Sequence, residues 1–166
     1  TEELKLPAST YSIISDESPW CQVAREYLAL RKLKATDYPY FVSESPSYLG
    51  RVLIPYYYRD KLVYWQGRSL DPSIEPRYKN PVVSKENILF NVNELLRYTE
   101  EPLYVTEGPL DALSLGSNAV ALTGSSLTEF KIRELARAAR HRRVVFVIDK
   151  NSRGRSLGEQ VLRAGV

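Results

Sequence analysis

The stretch from Leu103 to Gly154 opens with LYVTEGPLDALSL (residues 103–115) and closes with VVFVIDKNSRG (residues 144–154). In the first piece an apolar run, Leu103, Tyr104 and Val105, stops at Glu107-Gly108, and a short helix-like segment carrying Asp111 follows. In the second piece Val144 to Ile148 is a bare β-branched and aromatic run that ends at Asp149. Two strands of the buried type therefore each deliver an acid at the C-terminal end, where open α/β sheets place their ligands. Acids gathered there point to a hard divalent cation.

Outward from these two pieces the pattern alternates. Strands are expected at Leu103–Thr106, Ala119–Leu122 and Val144–Ile148, and helices at Pro109–Leu115, Ser126–Arg140 and Ser156–Ala164. Gly116 and Gly165 stand where helices stop, and Ser126-Leu127-Thr128-Glu129 reads as a capping box with Ser126 as the cap. Such alternation predicts a parallel sheet with crossover helices, an α/β fold. The glycine loop Gly124-Ser125 precedes a helix, a place where backbone N–H groups can hold a phosphate; a tight turn that simply needs glycine fits equally well.

The preceding part reads differently. Residues 1–18 look like an extended leader. Ser18-Pro19 opens a helix whose apolar face carries Trp20, Val23, Ala24, Tyr27 and Leu28. Arg51–Tyr58 and Leu62–Arg68, joined by Arg59-Asp60-Lys61, form a hairpin signal. Pro55 pushes the first of these strands toward an edge or a bulge. A loop with a short strand at Tyr40–Val42, an irregular stretch over Asp71–Pro81 and a helix over Ile88–Tyr98 complete this part. It is an α+β lobe over 19–101, followed by the parallel-sheet lobe over 102–166.

Composition narrows the chemistry. The one cysteine, Cys21, allows neither a disulfide nor a cysteine-based zinc site within the chain. The one histidine, His141, sits in the basic run RHRR (140–143), which reads as a solvated helix end, so acid and metal chemistry is favoured over a histidine-based catalyst. No apolar run reaches the length of a membrane span and no signal peptide is visible, so the cytoplasm is the expected compartment. The net charge is only +3, but nine basic residues fall between Lys131 and Arg155. A basic stripe beside an acidic site suits a polyanion, and a solvated helix face is the plain alternative for the helical part. Methionine is absent and the chain stops where another strand is expected, so a piece of a longer protein is anticipated, cut within its C-terminal lobe.

E-G-x-x-D-A after one strand and D-x-N-x-x-G after another resemble the two signatures of a Toprim domain, the metal-binding fold of bacterial-type primases, topoisomerases and some nucleases. A second resemblance lies in YLGRVLIPYYYRDKLVYWQGRSL (48–70) and EPRYKNP (75–81), which are similar to the catalytic core of bacteriophage and bacterial DNA primases of the DnaG type. Together they cover about Tyr48 to Gly154, and nucleases and topoisomerases lack the first lobe. The resemblance implies that Glu107 and Asp149 are catalytic and that Glu107, Asp149, Asn151 and Asp111 serve a Mg2+ or Mn2+ ion. Asn151 stands where a second aspartate is usual, which removes a negative charge. It implies further that Arg51, Arg68, Arg77, Tyr78 and Asn80, with Lys150 and Arg153, line the template and nucleotide groove. A glycine also occurs in Toprim primases at the place of Gly124-Ser125. Arginines interleaved with Tyr56, Tyr57, Tyr58, Tyr64, Trp65 and Tyr78 fit phosphate contacts and base stacking, although half of these aromatics should face the core of the sheet.

The implied activity is synthesis of short RNA primers on a single-stranded DNA template from ribonucleoside triphosphates, with a replicative helicase, fused or separate, as partner and no zinc within this chain. Two other readings remain. A Toprim nuclease would use the same acids to cut a phosphodiester and need no nucleotide. A non-catalytic nucleic-acid-binding module, which Asn151 brings to mind, would ignore divalent metal.

Overall fold

The computed structural model describes residues 3–124 and 126–165, without the side chains of Ser152 and Arg153. The chain divides into two compact units, residues 1–56 with 62–83, and residues 57–61 with 84–166. The expected lobe boundary at 101/102 falls inside the second of these.

The first unit is built on a five-stranded sheet with strand order β1-β2-β3-β4-β5, formed by β1 (Thr10–Ser12), β2 (Phe41–Ser43), β3 (Arg51–Tyr58), β4 (Lys61–Ser69) and β5 (Tyr78–Lys79). β1 pairs antiparallel with β2, so the stretch read as a leader supplies an edge strand, and Ile13 beyond it is fully buried. The hairpin between β3 and β4 turns on Arg59 and Asp60, both at positive φ (49° and 66°), which matches the right-handed twist of the flanking strands. β3 lies in the middle of the sheet and not at an edge, contrary to the reading of Pro55. Its ladder with β2 centres on Phe41 and Leu53, so Pro55 falls past the start of the short β2, where its missing N–H removes no strand bond. The Pro55 carbonyl instead accepts the Tyr38 hydroxyl. The stretch Asp71–Pro81 is not wholly irregular, because Tyr78 pairs with Arg68 and Lys79 with Gly67.

Helix α1 (Pro19–Leu30) begins as its Ser-Pro start implies, with Ser18 Oγ accepting the Trp20 N–H at 3.2 Å. Its buried residues are Cys21, Ala24 and Leu28, while Val23 is 39% exposed. The buried face is thus turned toward Cys21, whose Sγ lies 3.5 Å from the Ser12 carbonyl oxygen, and away from Val23. Among the aromatics, Tyr56, Tyr64 and Trp65 are buried, and Tyr58 and Tyr78 are exposed.

The second unit carries the alternating pattern. β6 (Leu103–Thr106), α2 (Pro109–Leu115), β7 (Ala119–Ala121), α3 (Glu129–Ala138), β8 (Val144–Phe146) and α4 (Ser152–Ala164) follow in order. The three strands form a parallel sheet in the order β7-β6-β8, with Leu103, Val105, Val120, Leu122, Leu135 and Leu157 in its core. Two expectations are corrected here. α3 is capped by Thr128, whose Oγ1 accepts the Lys131 N–H, and not by Ser126. Leu127 is buried with its N–H donated to Gln160, which keeps the chain extended through Ser126. The helix expected over Ile88–Tyr98 is only a 3-10 helix over Val92–Leu96. Phe90 exchanges both backbone bonds with Ala121, covering the outer edge of β7, and Asn91 at φ 61° ends any helical path through it.

Candidate active site

The register of the parallel sheet places the acids. Val147 N donates to Val105 O at 2.8 Å, so Glu107 lies two residues past one partner and Asp149 two past the other. Both acids therefore leave the same, C-terminal, edge of the sheet from neighbouring strands. Glu107 follows the central strand and is half-buried; Asp149 is exposed. The turn after β6 is held by Thr106, 1% exposed, whose hydroxyl donates to the Gly108 carbonyl at 2.8 Å. Pro109 then starts α2. Asp111 stands in the first turn of α2 and is exposed, where a carboxylate also complements the helix dipole.

Asp149 is followed by a tight joint. Asn151 caps α4, its Oδ1 accepting the Gly154 N–H at 2.8 Å. α4 accordingly begins a turn earlier than the expected Ser156. A Cβ added to Gly154 would sit 1.7 Å from the Asp149 carbonyl oxygen and 2.8 Å from its carbon. The glycine of D-x-N-x-x-G is thus where the helix passes against the backbone that presents the acid. Lys150 is exposed beside them; the side chain of Arg153 lies outside the described residues.

The end of β7 adjoins Glu107, since Thr123 N donates to Glu107 O at 2.9 Å. Gly124 follows at φ +122°, a backbone conformation that favours glycine, and Ser125 lies outside the described residues. This loop borders a recess of about 260 Å³ that Lys85, Glu86, Thr128 and Lys131 also line. Lys131 is 2% exposed and its Nζ donates to the Leu122 carbonyl at 2.6 Å. Burial, with a smaller contribution from Lys85, lowers its pKa to about 8. The Lys85 ammonium stands 3.6 Å from where a Gly124 Cβ would be. Neither lysine stands out in the sequence as a site residue. The signal for Lys131 is its place in the series Leu127, Lys131, Leu135, Ala138, which puts it on the buried face of α3.

A pH dependence follows. Between about pH 8 and the ordinary lysine range near 10.4 the unfolded chain binds the Lys131 proton and the folded chain does not. Stability therefore rises with pH across that window, and the buried charge costs up to roughly 3 kcal/mol below it. Urea denaturation of the protein and of Lys131→Met should show the variant's relative advantage shrinking as pH rises from 7 to 10. A pH-independent difference would contradict this.

In the first unit Arg68, Ser69, Asp71 and Arg77 line a groove of about 780 Å³. Arg68 lies 4.9 Å from the Tyr78 ring centroid and donates to its hydroxyl, while Arg77 is exposed. Asn80 is half-buried, with an Oδ1 that has no hydrogen-bond partner among the described residues. Arg51 does not line this groove. It is 3% exposed, donates to the Gly67 carbonyl at 3.1 Å, and has its pKa lowered by burial; it ties β3 to β4 from within.

Residues 104–164 match a family model described as Toprim-like. The match takes in β6 through α4, the elements that carry both acids. A DNA primase of Campylobacter jejuni is 32% identical over 50% of this chain and 16% of its own length. A DnaG catalytic core superimposes with a TM-score of 0.72 at 23% identity, covering 93% of this chain and 63% of that one. The DnaG primase catalytic domain bound to ssDNA gives 0.70 at 24% identity, covering 93% and 64%. The chain thus has the DnaG catalytic-core fold and spans less than two thirds of each of these relatives.

The donor set of the Toprim-like domain can be tested against a divalent cation. Among the described residues no three His, Cys, Asp or Glu side chains gather into a metal cage. Asn151 Oδ1 is engaged by Gly154 as a cap, and Asp111 is exposed on its helix. Glu107 and Asp149, hard oxygen donors leaving one sheet edge, fit an ion that keeps several waters and takes further oxygens from a phosphate substrate. They fit a hydrated divalent cation in that sense, and not a dehydrated site enclosed by protein.

Proposed function

We propose that this chain is the nucleotidyl-transfer core of a DNA primase, joining ribonucleotides on a single-stranded DNA template. The observation that supports this most is the coincidence, in one chain of DnaG-core fold, of a two-acid sheet edge with a separate groove lined by Arg68 and Arg77, Arg68 lying over the Tyr78 ring. A nuclease of the Toprim type has use for the acids alone.

The residues divide the work. Glu107 and Asp149 would hold the cation, Mg2+ or Mn2+, and Glu107 would take the proton from the attacking hydroxyl; Asp111 and Asn151 stand close by in sequence as outer contributors. The bound cation would supply charge stabilisation for the transferring phosphoryl group. Gly124, with Lys85 and the buried Lys131, takes the phosphates of the incoming nucleotide, its positive φ keeping backbone free of a side chain at the recess. Arg68, Arg77 and Asn80 contact the template backbone, with Tyr78 offering a stacking face; Lys150, next to Asp149 in the chain, adds positive charge, and Arg153 is assigned the same role from the sequence alone. A replicative helicase is the partner expected of such a core.

The test is product identity. The chain is incubated with end-labelled single-stranded DNA, labelled ribonucleoside triphosphates and Mn2+, and the products are separated on a denaturing gel. Short RNA with intact DNA is the expected result. Shortened DNA without RNA would replace the reading by the nuclease, and binding of DNA with neither product, unaffected by metal, would replace it by a binding module.

A further inference from the structure

The basic run RHRR is split by the fold. Arg142 turns inward and is 5% exposed, while Arg140, His141 and Arg143 face solvent. His141 stacks on Tyr98, with ring centroids 5.8 Å apart and planes at 26°. Tyr98 is 93% exposed, so one face of its ring meets the imidazole and the other is open.

Arg142 ties together the backbone on either side of the stack. Arg142 Nε donates to Glu101 O at 2.8 Å, Nη1 to Glu94 O at 3.2 Å and Nη2 to the Glu94 carboxylate at 2.8 Å. One guanidinium therefore ties the segment that carries Tyr98 to the turn that carries His141, and both rings of the stack stand on that tied backbone. Of the nearby acids, Glu101 is engaged by Arg97 and Glu100 is exposed. Among the described residues no carboxylate forms an ion pair with Arg140 or Arg143. An open aromatic face stacked on His141, with the exposed Arg140 and Arg143 within two residues of that histidine in the chain, matches a ligand with π-faces and regularly spaced negative charge. An acidic peptide would use the charge and leave the stack without purpose.

The position is informative. Arg143 O accepts the Leu103 N–H at 2.8 Å, so this surface lies at the N-terminal edge of the parallel sheet. The acids leave the opposite edge, about 13 Å away along a four-residue strand at roughly 3.3 Å per residue.

We propose that the Tyr98–His141 stack, with Arg140 and Arg143, is a second binding surface for single-stranded nucleic acid, on the sheet edge opposite the acids. It rests on the template reading above for its ligand and adds a place where the strand is held away from the reaction. The test is fluorescence anisotropy of labelled oligo-deoxythymidine with the 166-residue chain over a series of salt concentrations. Tyr98→Ala should weaken binding about 10-fold, as removal of one stacked base does, and Tyr98→Phe should bind within about 2-fold of the unaltered chain. Arg140→Ser with Arg143→Ser should flatten the slope of log affinity against log salt by about 1.4, or about 0.7 for each phosphate no longer neutralised. Unchanged affinity in Tyr98→Ala with an unchanged salt slope in the arginine pair would overturn the proposal and leave the primase reading standing. Failure of the unaltered chain to bind the oligonucleotide would overturn both.

Discussion

Replacing Arg142 by methionine should destabilise the protein by about 3–5 kcal/mol, the cost of breaking a buried ion pair from one side. Arg142 and Glu94 have side chains that are 1% and 6% exposed, and their Nη2–Oε2 distance is 2.8 Å. Methionine fills much of the arginine stem but leaves the Glu94 carboxylate, among the described residues, with Arg97, which is 42% exposed, as its remaining counter-charge. It also leaves the Glu101 carbonyl without the Arg142 Nε donor and removes one of two donors from the Glu94 carbonyl, which keeps the Arg97 N–H. Adding Glu94→Gln to Arg142→Met should restore part of the loss, because the stranded charge is removed. Urea denaturation midpoints of the two variants and the unaltered chain measure this. A loss under about 1 kcal/mol, the value of an exposed pair, would show that the cluster is solvated.

Gly154→Ala should lower nucleotide transfer by about 100-fold, the usual consequence of moving a reacting group by about 1 Å. The added methyl would lie 1.7 Å from the Asp149 carbonyl oxygen and 2.9 Å from Ile148 Cγ2. The first of these neighbours is backbone, which cannot rotate aside, so either α4 or the segment bearing Asp149 must move. Overpacking of this kind should also cost about 1–3 kcal/mol of stability. Combining Gly154→Ala with Asp149→Asn should then cost little more activity than either change alone, since both act through Asp149. Full activity in Gly154→Ala would mean that Asp149 is not held where the reaction needs it.

Much of the second unit is legible in the sequence because its signals are local. β6 and α2 run over the expected residues, since an apolar run meeting Glu-Gly-Pro leaves the chain little choice. Where structure and expectation part, a tertiary contact overrides a local preference. Ile88–Tyr98 has a helical spacing, but the edge of β7 takes the backbone groups of Phe90. Ser126 opens a capping box on paper, but burial of Leu127 keeps it extended and passes the cap to Thr128. The acids can be placed at strand ends from the sequence. That Asn151 is spent on a cap, Arg51 on an internal carbonyl and Arg142 on Glu94 cannot be read there, because each depends on a partner that only the folded chain supplies.

If catalysis resides at the acid-bearing edge of the Toprim-like sheet, Glu107→Gln is the decisive variant. Its rate of labelled ribonucleotide incorporation on single-stranded DNA should be measured beside its DNA affinity and its thermal midpoint. The rate should fall by about 100-fold or more, as for loss of a general acid–base group, with affinity and midpoint unchanged. Incorporation at the unaltered rate would contradict this placement of the chemistry.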